Sequence, residues 1–358
     1  MNSLTYLTRR CPRKCHYCSL RESKGVGKEL NKEQWIRAFS ILKELGVEFN
    51  LILGNETWLL GEDLLYIIQH NQVPYALYTT CPPDLFFHYA RKFFTGGIDN
   101  LSCGIDYPLL YSYENNSDSQ EYHPVQKSND GWRGLLYSNI REFHRDEDGE
   151  ISLQPTFPRL DRQGTVTVHK KNYQYLPEIV RDLHDNGVFC GVNFIHWNKD
   201  GGFDFFPTKK HLSGYLFETD KELRKLEEVI NEVKKMRNTI QNFEMLDYSV
   251  DHIAGDMDWH CKGDPYGGPT IDSDGQLRCC GYRKGILTPQ FSIFDLPERI
   301  DDWREAVRKD SLECPGCFWS YPWMYRYWEK DREFGKNVFV NHAGKHIDSN
   351  TWSKRMVE

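Results

Sequence analysis

Cysteine is the residue whose spacing in this chain most plainly suggests chemistry. The 358-residue sequence holds eleven of them, unevenly placed. Cys11-Pro-Arg-Lys-Cys15-His-Tyr-Cys18 is a C-x3-C-x2-C run. Three thiolates this close in sequence converge on one small object when the backbone curls around it. Structural zinc and plain electron-transfer iron–sulfur clusters each want four protein ligands. Here only three are local, so the run reads either as a cluster with one open iron or as a zinc site completed by His16 or a remote cysteine. A second group lies towards the other end: Cys261, the adjacent pair Cys279 and Cys280, and the clip Cys314-Pro-Gly-Cys317. Thr270-Ile271-Asp272 and Gln276-Leu277-Arg278 read as short strands around the turn Ser273-Asp274-Gly275. A hairpin with cysteines at its ends plus a later C-x2-C makes a four-thiolate set, suited to a zinc ribbon or to an iron–sulfur cluster. Neighbours on a strand face opposite ways, so one of Cys279 and Cys280 is the ligand, and Cys279 is preferred. Cys81, Cys103 and Cys190 stand alone and read as small buried hydrophobes.

Composition narrows the setting. A hydrophobic share of 39% and an aromatic share of 14% allow a sizeable core. The formal net charge of -7 argues against a generic nucleic-acid binder. No apolar run reaches the roughly 18 residues of a membrane span, and Met1 to Arg10 lacks an export-signal core. The expectation is reduced thiols and a cytoplasmic protein with no membrane partner.

The elements that must position the cysteines alternate between strand and helix patterns. Strands are expected over Leu4–Thr8, Val47–Leu53, Pro74–Thr79, Asn100–Asp106, Thr165–His169 and Val188–His196. Helices are expected over Lys32–Leu45, Gly61–Gln69, Pro82–Phe94, Trp132–His144, Tyr173–Asp185 and Asp220–Gln241. Tyr107–Asn129, Gly149–Gln163 and Lys199–Lys210 read as loops. Such alternation implies a parallel α/β sheet with its site at the C-terminal strand ends, where the first cysteine run sits.

The cysteine run after a first strand, with Tyr17 before its third cysteine, resembles the radical S-adenosylmethionine (SAM) superfamily. The resemblance implies an α/β partial (β/α)6 TIM-like barrel with a small C-terminal cysteine-rich extension. Cys11, Cys15 and Cys18 would hold a [4Fe–4S] cluster whose fourth iron is chelated by SAM, with Tyr17 near the adenine. Gly54-Asn55-Glu56 is similar to the family's Gly-Gly-Glu, which meets the SAM amino group; Asn55 departs from the second glycine. Thr79 falls near the methionine end, and Arg133, in an Asp-x-x-Arg-Gly element, would pair with the SAM carboxylate. The later cysteines resemble the SPASM or shorter twitch extensions, which implies an auxiliary [4Fe–4S] cluster on Cys261, Cys279, Cys314 and Cys317. The implied organisation is a barrel core over 1–215, a connecting helix over 216–250, a twitch-like domain over 251–330 and a tail over 331–358.

The activity implied is reductive SAM cleavage to a 5′-deoxyadenosyl radical that abstracts hydrogen from a substrate. The first expectation is two-electron oxidation of a small molecule, with His169, Lys170 and His196 as candidate proton acceptors on late strand ends. An electron donor such as flavodoxin or ferredoxin would be required. The alternative is a peptide or protein maturase, against which the motif's start at residue 11 leaves no room in this chain for an N-terminal peptide-recognition domain. A further alternative is a zinc-stabilised binding module that uses the aromatic run Phe318–Trp328.

Overall fold

The computed structural model describes residues 2–13, 15, 18, 28–98, 100–108, 130–135, 141–145, 151–155, 161–186, 188–195, 212–239, 246, 250, 253, 268–280, 287 and 289–313. Its centre is an eight-stranded sheet. Six parallel strands follow chain order: β1 (Asn2–Tyr6), β2 (Phe49–Leu53), β3 (Tyr75–Thr79), β4 (Asn100–Ile105), then β7 (Asp161–Val168) and β8 (Phe189–Phe194). Pairing runs Leu4 to Leu51, Leu51 to Ala76, Leu77 to Leu101, Cys103 to Gly164 and Val166 to Val192. The sheet remains open rather than closing into a barrel. Its free edge beside β1 is extended by the short hairpin β9 (Thr270–Ile271) and β10 (Leu277–Arg278), with β9 parallel to β1.

Alternation along the strands sorts two cores. Leu4, Tyr6, Phe49, Leu51 and Ala76 pack on one face, with Leu53, Tyr78 and Cys280 against them. Leu7, Ile52, Leu77, Leu101 and Val166 point the other way into the large core beneath the helices. Helix α1 (Lys32–Glu44) opens with a reciprocal Asn31–Gln34 capping box and buries Trp35, Ala38, Phe39, Ile41 and Leu42. Helix α2 (Glu62–Gln69) follows Gly61, and α3 (Pro83–Thr95) starts with proline in its first turn. Trp58 stacks on Phe86 and meets Phe93 edge-on, which locks the turn after β2 to α3. Helices α4 (Leu176–Asp185), α5 (Asp220–Val233) and α6 (Ile300–Leu312) complete the described layer. Among the described residues no helix is long and apolar enough to cross a membrane.

Two local expectations fail. The helix expected over Trp132–His144 is helical only at 130–135 within the described residues, and Arg141–Arg145 is strand β5. The loop expected over Gly149–Gln163 holds β6 (Ile151–Pro155) and the start of β7. Strands β5 and β6 pair antiparallel as a separate two-stranded sheet. The apolar spacing through Phe143 suits a helix locally; the partner that makes it a strand lies ten residues on. Helix α5 ends at Val233 and continues as a 3-10 turn over Lys234–Thr239; Ile240 and Gln241 lie outside the described residues.

Candidate active site at the strand ends

The cysteine loop leaves the C-terminal end of β1. Backbone hydrogen bonds continue the β1–β2 pairing past the strands: Leu7 N–H to the Leu53 carbonyl (2.9 Å), Asn55 N–H to Thr8 (3.0 Å) and Glu56 N–H to Arg10 (3.0 Å). Gly54 permits this approach. A Cβ there would stand 3.1 Å from Thr57 Cγ2 and 3.2 Å from the Thr8 carbonyl oxygen. The Asn55 amide donates to the Arg9 carbonyl, which ties the family-departing residue to the root of the loop.

Cys11, Cys15 and Cys18 all lie in this loop, half-buried and free of disulfides. The Arg13 N–H donates to Cys11 Sγ (3.4 Å), and Cys18 N–H donates to the Cys15 carbonyl (3.2 Å). Burial pushes the Cys15 thiol up to about 12; the neighbouring Asp106 and Cys18 add to the effect and Arg13 opposes it. A metal centre held here would supply the positive charge that favours the thiolate. A soft thiolate donor set with an N–H···S bond suits an iron–sulfur cluster. Among the described residues no three Cys, His, Asp or Glu side chains are already gathered tightly enough to hold a metal ion.

Glu56 is buried beneath this loop. Its Oε1 accepts from Trp58 N–H (3.0 Å) and the Thr79 hydroxyl (2.6 Å), and its Oε2 accepts from Thr80 N–H (2.8 Å) and the Thr80 hydroxyl. The Arg13 guanidinium reaches across to donate to the Thr80 carbonyl (2.8 Å). The loop, the end of β2 and the end of β3 are thus stitched into one rim. Arg133 sits at the end of β4's connection and pairs with Asp130 at 2.8 Å.

The proton-acceptor candidates are placed differently. His169 is buried, its ring edge-on to Tyr215 and its Nδ1 accepting from Lys171 N–H (3.2 Å). Burial, with the charge of Lys171, lowers its pKa to about 4, so it is neutral near pH 7. Lys170 forms an ion pair with Glu222 at 2.6 Å, at the N-terminus of α5. Tyr17, His196, Cys261, Cys314 and Cys317 lie outside the described residues.

At the hairpin, Cys279 turns into the core and donates to the Val307 carbonyl of α6 (3.8 Å), whereas Cys280 packs against the opposite-face cluster that holds Leu4 and Tyr6. Strand alternation sends Cys279 and Cys280 to opposite faces, as expected from sequence. Sequence reasoning missed Arg13, Glu29 and Asp272. Arg9 Nε donates to Asp272 Oδ1 (2.6 Å), and Arg278 donates to Oδ2 of the same carboxylate. One buried acid therefore joins the residue two before Cys11 to the residue before Cys279. No local pattern reports a contact across 263 positions.

Six parallel strands in chain order, with a three-cysteine loop after the first, define an open (β/α)6 scaffold of the radical SAM type. Residues 5–109 match the family model described as the Radical SAM superfamily. The structure of Streptococcus suis SuiB bound to S-adenosylmethionine is similar at 15% identity and a TM-score of 0.53, over 85% of this chain and 65% of that one. The chain thus spans just under two thirds of SuiB's length. SuiB bound to its precursor peptide SuiA gives 15% identity and 0.51, over 78% and 59%. Native anSMEcpe with bound AdoMet and Cp18Cys peptide gives 14% identity and 0.53, over 95% and 99%. At these identities the likeness is one of fold. No curated protein matches the chain.

Proposed function

We propose that the protein is a radical SAM enzyme that cleaves SAM reductively and acts on a peptide or protein. When bound, the cluster and SAM together supply one-electron chemistry and a 5′-deoxyadenosyl group able to take hydrogen from an unactivated carbon. The chain's part is to bind, orient and exclude water. Cys11, Cys15 and Cys18 would hold three irons. Glu56 would receive the SAM ammonium once the Thr80 hydroxyl rotates away, because four donors already fill its acceptor sites. Thr79 fixes the carboxylate from beneath. Tyr17 would line the adenine, and Arg133 would meet the SAM carboxylate by exchanging its Asp130 partner.

The observation that carries this reading is the placement of the three cysteines at the C-terminal end of β1, against the rim built by Gly54–Glu56 and Thr79–Thr80. The peptide substrate is favoured by two structures of like fold whose descriptions name bound peptides, SuiB with SuiA and anSMEcpe with Cp18Cys. Small-molecule oxidation, the first expectation from sequence, needs a proton acceptor; His169 is buried edge-on to Tyr215, Lys170 is ion-paired with Glu222, and His196 lies outside the described residues. For an auxiliary [4Fe–4S] cluster, Cys280 joins Cys261, Cys314 and Cys317 as the proposed ligand, since Cys279 is held in the core. A flavodoxin or ferredoxin would supply the electron.

Anaerobically reconstituted protein, SAM and dithionite should yield 5′-deoxyadenosine and methionine. Wild type should carry about eight irons, falling to about four in a Cys11, Cys15, Cys18 triple alanine variant that makes no 5′-deoxyadenosine. Absence of the product from iron-replete wild type, with and without peptides encoded beside the gene, would contradict the proposal.

A further inference from the structure

Arg10 ends the run of residues that continue β1, and Glu29 lies back against that same run. That carboxylate grips the departing strand with both oxygens. Oε1 accepts from the Thr8 hydroxyl and from Arg9 N–H, both at 2.7 Å, and Oε2 accepts from Arg10 Nε at 3.2 Å. Thr8 is fully buried, so two of the three bonds face away from solvent or lie at the backbone, unlike an ordinary surface ion pair. Immediately afterwards Leu30 N–H donates to the Ser273 carbonyl of the hairpin turn (2.7 Å), and α1 begins at Lys32 behind its capping box. Arg9, whose N–H Glu29 receives, is itself anchored to Asp272. The two ends of the cysteine loop therefore meet at one carboxylate, and the junction is bolted to the sheet edge.

We propose that Glu29 is a positioning residue that clamps the two ends of the loop bearing Cys11, Cys15 and Cys18, so that the three thiols face a bound cluster at fixed separation. The inference rests on the radical SAM reading of that loop. Charge-assisted bonds to a carboxylate are short and directional, and closing the loop before metal arrives removes conformational freedom that binding would otherwise have to freeze. Glu29 touches neither iron nor SAM in this account; it acts through the backbone of Thr8–Arg10.

The test compares wild type with Glu29→Ala, Glu29→Gln and Thr8→Val, each reconstituted anaerobically with iron and sulfide. The readouts are chelator-driven iron release, the EPR signal of the reduced cluster with and without SAM, and apoprotein Tm. Glu29→Ala should release the loop's iron about ten- to a hundredfold faster, the range for outer partners of metal ligands. Glu29→Gln keeps one acceptor oxygen for Thr8 and Arg9 and should recover most of the difference. Thr8→Val removes one arm only and should fall between, which also tests the clamp if Glu29→Ala does not fold. Iron release at the wild-type rate in Glu29→Ala and Thr8→Val would overturn the inference, as would a faster release matched by an equal fall in Tm and unrescued by Glu29→Gln. Wild type that takes up no iron at all would instead refute the radical SAM reading, a separate outcome.

Discussion

Glu56 and Asp272 are both buried carboxylates, placed on either side of the cysteine loop, and they are satisfied in opposite ways. Asp272, on the hairpin edge, is held by two cations, Arg9 and Arg278, with Ser273 N–H adding a third bond (2.7 Å). Burial opposes its charge, but the Arg9 hydrogen bond and the two guanidinium charges outweigh it and leave the pKa lowered. Glu56, on the β2–β3 rim, is held by neutral groups alone: two backbone N–H and two threonine hydroxyls. A carboxylate locked between arginines has no reason to let go. One held partly by a rotatable hydroxyl can exchange that donor for a ligand's ammonium. The hairpin edge anchors the root of the loop, and the rim is the part with a donor free to rotate.

The largest effect expected from breaking this contrast is at Asp272. Asp272→Asn leaves two guanidinium groups buried without their counter-charge and should cost about 3–5 kcal/mol in chemical denaturation. The sign in pH follows from the lowered pKa: Asp272 contributes its full stability above its ordinary value of 3.8, and that contribution is lost as pH falls through the depressed folded value. Wild type should therefore lose stability in strong acid along a slope that Asp272→Asn lacks.

His169 offers a third kind of buried polar group, a neutral ring that accepts from Lys171 N–H. Its folded pKa of about 4 lies below its ordinary 6.5, so the unfolded chain binds the extra proton first. Stability should be complete above about pH 6.5 and decline by about 3 kcal/mol as pH falls towards 4. Denaturation midpoints across this range should show the slope in wild type and not in His169→Asn, whose side-chain oxygen can still accept from Lys171 N–H.

Glu56→Gln should be milder for the fold and severe for the ligand. Facing four donors with an amide costs about 1–3 kcal/mol, while SAM binding measured by calorimetry on the reconstituted protein should drop at least about tenfold. Removing a single donor in Thr80→Val should cost only about 0.5–1.5 kcal/mol and leave the carboxylate able to bind SAM. If Thr80→Val abolished binding while Glu56→Gln did not, the assignment of the rim would be reversed.

These contacts also mark what the amino-acid sequence can carry. The cysteine run, the Gly54–Glu56 turn, the Ser273–Gly275 hairpin turn and most of the alternating strands and helices are local, and local patterns report them. The Arg9–Asp272–Arg278 bridge, the Glu29 clamp and the pairing of β9 with β1 join segments far apart, so no spacing rule reaches them. Arg141–Arg145 is a nearer case: its strand character comes from pairing with Ile151–Pro155, not from its own spacing. That Cys279 and Cys280 take opposite faces follows from strand alternation, but which face each takes depends on the packing of α6. His169 stands at a strand end as expected, but its orientation into the core depends on Tyr215.

The most direct test is EPR spectroscopy of oxygen-free, dithionite-reduced protein before and after SAM is added. A [4Fe–4S]⁺ signal that shifts on adding SAM, and that vanishes in the Cys11, Cys15, Cys18 alanine variant apart from any auxiliary contribution, is the result expected. A zinc ion at the loop, with a spectrum indifferent to SAM, would contradict it.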